Sequence, residues 1–209
     1  MDQRIKGIFI SFEGGDGSGK TTQIKKLSQY LQDKKYEVVE TLEPGDNSIG
    51  PELRSLILDP KRNIVSTAEI FLYLADRAQH THEIIKPSLL SGKIVITDRF
   101  ADATLAYQGY GRGLSIPLVE AMNHFATESI IPDLTFLLDL DPKKGKERTL
   151  KRSKNLDRLE QEKLDFHQKL RAGYLKIAEQ DPERFRVIDS TQSIEKIFEI
   201  IKKEVDELL

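Results

Sequence analysis

The chain contains no cysteine. Disulfides, thiolate nucleophiles and cysteine metal sites are therefore excluded. No apolar run approaches the length needed to span a bilayer, and the first residues lack the basic, apolar, small-residue order of a signal peptide. A cytoplasmic location without a membrane partner is expected. Neither sign of charge dominates: a formal net charge of −2 demands no strongly basic face of the kind nucleic-acid binders show, and no nucleic-acid partner is expected. Internal repeats, low-complexity tracts and linkers are missing too. The chain is expected to fold as a single domain over residues 1–209, large enough to bury a sizeable core.

What is present is GGDGSGKT, Gly14 to Thr21, which fits the phosphate-cradling pattern GxxxxGK[ST]. Glycines let backbone N–H groups bend inward around a phosphate where a Cβ would obstruct. Lys20 can reach the β and γ phosphates, Thr21 can ligate magnesium, and the following helix presents its positive end to the same anion. The flanks agree with this. Ile8, Phe9, Ile10 and Phe12 form a short apolar run that suits a parallel strand buried on both faces, and Ile24, Leu27 and Leu31 recur afterwards at helical spacing.

The same alternation continues. Strands are expected near Tyr36 to Leu42, Lys93 to Asp98, Leu134 to Leu140 and in RFRVIDS, with helices between them. One runs from Pro51 to about Asp59. A long one starts at Ser66, where Ser66 and Glu69 suggest a capping box, and passes His82 to a kink or stop at Pro87. Asp102 to Gln108 reads as a short helix, Tyr110 to Gly113 as a turn, and Ser115 and Asp141 as helix starts. Phe166, Leu170, Tyr174 and Ile177 mark a long amphipathic helix, and Ile194 to Leu208 the last one. Five strands alternating with helices imply an α/β fold, a doubly wound five-stranded parallel sheet with helices on both faces. Between residues 143 and 160 the composition turns basic, with Arg148, Lys151, Arg152, Lys154 and Arg158. This is either a solvated surface turn or a short mobile lid over phosphates.

Asp98 ends a buried strand, where the second acid of a phosphate-loop protein holds magnesium, and Arg99 can clamp an anionic acceptor. The bland alternative is a structural ion pair. Asp16 lies inside the loop, where repulsion from bound phosphates implies that it faces something else, such as a sugar hydroxyl. Tyr73 and Arg77, one turn apart, either meet a base together or divide into core and surface. His80, His82, His124 and His167 suit surface or packing roles rather than metal ligation.

With EGGDGSGKTT, LEPG, ADRAQ, DRFADATLAYQGYGRG and LDRLEQE in that order, the chain resembles the thymidylate kinases over essentially its whole length. The resemblance implies a P-loop kinase that phosphorylates dTMP to dTDP with ATP and magnesium, working as a homodimer. Gly14, Gly15, Asp16, Gly17, Ser18, Gly19, Lys20 and Thr21 would bind ATP, Asp16 would also meet the deoxyribose 3′ hydroxyl, and Thr21 and Asp98 would hold the metal. Tyr73 would stack on thymine, Arg77 and Thr104 would meet the base edge, Arg99 the acceptor phosphate and Tyr107 the C2′ side, with Gln108 in the same segment. Some members carry a catalytic arginine inside the loop, where this chain has Gly17. The resemblance thus moves that role to Arg148, Arg152 or Arg158, beside Lys20 and Arg99, and favours the lid. Two departures stand out. Leu42 and Asp46 occupy LEPGD where REPGG is usual, and Ala103 stands where serine is common. Arg54, Lys61 or Arg77 would have to compensate for the missing arginine, or the preferred acceptor would differ. A related kinase with another acceptor and a non-kinase ATP-binding switch are the rival readings.

Overall fold

The computed structural model describes residues 6–209. Strands β1 (Ile8–Glu13), β2 (Val38–Leu42), β3 (Ile94–Asp98), β4 (Leu134–Asp139) and β5 (Phe185–Asp189) form one parallel sheet in the order β2-β3-β1-β4-β5. The expected doubly wound α/β architecture is the one observed. Because side chains alternate along a strand, apolar runs supply both layers at once. Ile10, Phe12, Ile94, Ile96, Leu134, Phe136 and Leu138 face α1 (Lys20–Asp33) and α9 (Ile194–Leu208), where Leu27, Leu31, Ile197 and Ile201 complete the layer. Phe9 and Val95 face the other way and pack with Ile85, Leu89 and Phe100.

That second layer holds α2 (Gly50–Leu58), α3 (Ser66–His80), α4 (Lys86–Leu90), α5 (Ala101–Thr104), α6 (Ile116–Ala126) and α8 (Leu164–Gln180), with α7 (Pro142–Arg152) at the sheet's carboxyl end. From β1 the chain goes to one side for β2 and β3, then to the other for β4 and β5. A crevice opens at this switch point, outside the carboxyl ends of the strands. The phosphate loop emerges there from β1, and Phe12 lies level with Asp98 of β3 and Phe136 of β4. No helix among the described residues is long and apolar enough to cross a membrane.

Several local expectations change. β2 begins at Val38, because the Tyr36 amide donates to Leu31 O at 3.1 Å and closes the end of α1. The capping box at Ser66 does not form: Val65 holds the cap position without a side-chain bond. Glu69 is instead fully buried and taken by Gln108, Arg112 and Arg158, stronger partners than a lone amide. Pro87 neither ends nor breaks its helix. A π-helical turn over Thr81–Ile85 precedes it, and the wider coil accommodates a residue that cannot donate to the preceding turn. The short helix at Asp102 also runs further than expected, as α5 continues into a π-helical turn over Leu105–Gly111. Asp141 does cap α7, accepting from Lys143 N at 2.9 Å, whereas Ser115 holds its cap position without a bond.

The π turn and α8 meet backbone to side chain. A Cβ on Gly173 would lie 2.6 Å from Tyr110 Cβ, and one on Gly111 would lie 2.8 Å from the Phe166 ring. Gly173→Ala should therefore overpack this seam and destabilise the fold by about 1–3 kcal/mol. Urea denaturation checks it, and an unchanged midpoint would show that the two elements can part freely.

Candidate active site

The loop after β1 depends on its glycines at two points. Gly14 has φ 130°, and a Cβ there would meet Leu138 O at 2.5 Å. Gly17 has φ 74°, and a Cβ would meet Gly145 O of α7 at 2.5 Å. At Gly17, therefore, α7 itself occupies the room a side chain would need. The cation arrives from that helix: Arg148, one turn past Gly145, donates to Gly17 O at 3.3 Å and to Ser190 O at 3.1 Å.

Lys20 is buried, with Nζ 3.1 Å from Gly14 O and 3.8 Å from Asp98 Oδ1. Burial and the neighbouring Arg99 charge pull it below the usual lysine range, while Asp98, Asp16 and Glu13 oppose that shift. Thr21 Oγ1 donates to Asp98 Oδ2 at 3.3 Å. One carboxylate and one hydroxyl are a sparse set, and no cluster of three or more metal-binding side chains exists among the described residues. Such a set suits magnesium, which keeps waters and substrate phosphates as its remaining ligands.

Arg99 has φ 76°, a left-handed backbone that costs a residue with a Cβ about 1–2 kcal/mol. Strain of this kind collects where a side chain must be aimed. Its guanidinium donates to Asp16 Oδ1 at 2.8 Å, to Gly14 O at 2.9 Å and to Tyr174 Oη at 3.3 Å, with its carbon 5.1 Å from the Tyr107 ring centre. Burial pushes the Asp16 carboxyl up, but Arg99 and Lys20 outweigh it and hold the group below the usual range. Asp16 and Arg99 thus meet each other as well as the cleft.

Of the roles left open for Tyr73 and Arg77, a surface Arg77 is excluded, while Tyr73 packs partly against the core. Arg77 is 1% exposed. Its five N–H bonds are all used, two on Glu43 Oε2 and one each on Phe100 O, Asn123 Oδ1 and Thr104 Oγ1. Tyr73 is half-buried and reaches the cleft. Because Thr104 accepts from Arg77 at 2.5 Å, its own hydroxyl proton is left to donate. Gln108 also lines the cleft, although its amide is held by Glu69 at 2.9 Å.

The structure separates the three basic-segment arginines. Arg148 and Arg152 line the cleft with the phosphate loop, and Arg152 pairs with Glu160 at 3.1 Å. Arg158 does not line it: its guanidinium is tied to Glu69 at 2.6 Å and to Ile57 O at 2.7 Å, the pull of a fully buried carboxylate. Among the cations considered beside Leu42, Arg54 lines the cleft, Arg77 is saturated and Lys61 is not among the lining residues. Asp46 accepts from Thr41 at 2.8 Å, and Ala103 lines the cleft.

Sequence reasoning missed the groups behind the site. Glu43 is buried between Arg77 and His80, which also contacts Thr41 at 2.6 Å. Glu13 and Tyr174 stand behind Arg99. The hints were slight: Glu13 closes an otherwise apolar strand, and Tyr174 sits among the apolar residues of its helix face.

The cleft lined by Asp16 to Thr21, Tyr73, Arg99, Thr104 and Arg148 has a volume of about 550 Å³, the size of a small-molecule site. The family model described as thymidylate kinase matches residues 12–201. The chain is 49% identical to the thymidylate kinase of Carboxydothermus hydrogenoformans, covering 95% of this chain and 96% of that one. It is 46% identical to that of Gloeobacter violaceus, covering 97% and 96%. The crystal structure of thymidylate kinase from Ehrlichia chaffeensis superposes with a TM-score of 0.78 at 35% identity, covering 95% of this chain and 98% of that one. A phosphate loop opening into a cleft at the carboxyl ends of the strands, in a chain matched over nearly its whole length, has one explanation: the chain belongs to the thymidylate kinase family.

Proposed function

We propose that the protein transfers the γ-phosphoryl group of ATP to dTMP, giving ADP and dTDP, with both substrates in the single cleft. The observation that carries this reading is the shared lining. Loop residues Asp16 to Thr21 and acceptor-side residues Tyr73, Arg77, Arg99, Thr104 and Tyr107 bound the same space. ATP phosphates sit in the loop, with Gly14 and Gly15 shaping its back and Ser18 and Gly19 opening α1 behind them. The acceptor phosphate meets Arg99 and Arg54, and the base lies along Tyr73 with Thr104 donating to a carbonyl on its edge. Arg77 acts through Thr104, which it holds. Tyr107, at 5% exposure, closes the sugar side.

The acceptor phosphate is already a nucleophile, so no general base is needed. Catalysis is then positioning together with neutralisation of the charge spread over the transferred group. Lys20, Arg148 and Arg152 supply that charge from the protein. Thr21 and Asp98 would hold magnesium, which neutralises phosphate charge when bound. Leu42 offers the acceptor no charge, and Arg54 stands as the nearby cation, its Nη1 donating to Pro44 O at 2.6 Å. A second copy of the chain suits the joined faces of α3 and α6, where Phe71, Leu118 and Phe125 are 63%, 58% and 87% exposed.

Lys20→Ala should lower turnover by at least about a hundred-fold while the circular dichroism spectrum stays the same. In a coupled ADP-release assay dTMP should outpace dUMP and dCMP, and equal rates for the three would overturn the acceptor assignment. Thr104→Val removes the free donor and also strands one buried Arg77 N–H, so it should raise the KM for dTMP by at least roughly two-fold, leaving the KM for ATP unmoved. Sedimentation should give a dimer that Phe125→Glu converts to monomer; a wild-type monomer would refute the paired face.

A further inference from the structure

Arg99 is held from behind by a group that the reaction itself does not use. Glu13, the last residue of β1, has no solvent exposure. Its Oε1 accepts from the Phe100 amide at 2.7 Å and from Ser11 Oγ at 3.1 Å, and its Oε2 accepts from Tyr174 Oη at 2.8 Å. The same Tyr174 oxygen accepts from Arg99 Nη1 at 3.3 Å. One carboxylate thus reaches both ends of Arg99: the peptide that follows its strained backbone, and, through one phenol, its guanidinium.

We propose that Glu13 and Tyr174 are positioning residues for phosphoryl transfer, fixing the direction in which Arg99 presents its guanidinium to the acceptor phosphate. The proposal rests on the reading of Arg99 as the acceptor clamp. Without the pair, Arg99 keeps Asp16 and the Gly14 carbonyl as partners, and Asp16 alone can draw the guanidinium toward the loop. Tyr174 comes from α8, which begins after the basic segment. A helix late in the chain therefore sets the aim of the residue that follows β3.

The hydrogen bonds also set the protonation state in which this works. Three donors converge on Glu13, so the arrangement needs an ionised acceptor; a protonated carboxyl has to place its own hydrogen among them. The charged and titratable groups around Glu13 are Arg99 after β3, Lys20 on α1, Tyr174 on α8 and Asp102 on α5, the last paired with Arg184 at 2.6 Å. Burial, then Asp102, push the Glu13 carboxyl up to about 7, against Arg99, the Tyr174 hydroxyl and the Phe100 amide. As the pH falls through that value Tyr174 loses its anchor. Removing the phenol takes away one of the donors that favour the ionised form, so the transition moves to higher pH.

The test uses the full-length enzyme with ATP, magnesium and dTMP across pH 6 to about 9, a range around the Glu13 value. Tyr174→Phe should fold as the parent does and lose about ten-fold in kcat/KM for dTMP, with the KM for ATP within two-fold. Its acid limb should shift upward relative to wild type, whereas in Glu13→Gln the enzyme's own limb should vanish. The substrate phosphate titrates equally in all three and cancels in the comparison. Arg99→Lys reports separately on the clamp. If Arg99→Lys leaves dTMP kinetics unchanged, the assignment of Arg99 fails and the proposal fails with it. If Arg99→Lys is impaired while Tyr174→Phe keeps both its dTMP kinetics and its acid limb, the proposal alone is overturned.

Discussion

Five charged side chains, Glu13, Asp16, Lys20, Asp98 and Arg99, converge where β1 and β3 end, and each is tolerable there only because the others are present. Burial works against the charged form of most of them. Asp16 stays ionised because Arg99 and Lys20 face it, and Lys20 retains part of its basicity because Asp98, Asp16 and Glu13 surround it. A cluster balanced in this way is poised for phosphates: added negative charge meets two cations already held at fixed positions, with little left to reorganise.

The half of the cleft beyond the phosphate loop follows a different rule, in which donors are spent so that others stay free. Arg77 gives all five N–H bonds to the protein, and the result is a threonine hydroxyl aimed with its proton unclaimed. Glu43 serves the same end by pairing Arg77 on one side and His80 on the other. A buried guanidinium with every donor satisfied is a rigid strut, because turning it would strand several polar groups at once. On the proposed reading, recognition of the acceptor depends in part on residues that need not touch it.

The loop and α7 are joined at a contact only glycines permit, Gly17 against Gly145. That close approach brings Arg148 over the phosphate loop, and Arg152 follows one turn later on the same helix. Arg158 lies past the end of α7 and is claimed by Glu69, so the three arginines of the basic run divide into two over the cleft and one structural tie.

Much of this was legible in the residues. The apolar runs of Phe9 to Phe12 and Ile94 to Ile96, with Leu27 and Leu31 at helical spacing between them, dictate a parallel sheet, since period and burial are local properties of the chain. GGDGSGKT likewise declares a phosphate site, because the backbone shape it needs is available only to glycine. The motifs around Arg99 and Tyr107 pointed to the acceptor. Boundaries such as those at Tyr36 and Pro87 were less legible, being set by competing hydrogen bonds and by a π turn. Partner choice was not legible at all. That Glu69 takes Arg158 instead of capping α3, that Arg77 is saturated, and that Glu13 reaches both ends of Arg99 through Tyr174 are decided between residues far apart in the chain. Local pattern along the chain dictates the sheet, the phosphate loop and the family; which donor meets which acceptor emerges only on folding, because buried polar groups find their partners across elements and spacing along the chain carries no record of it.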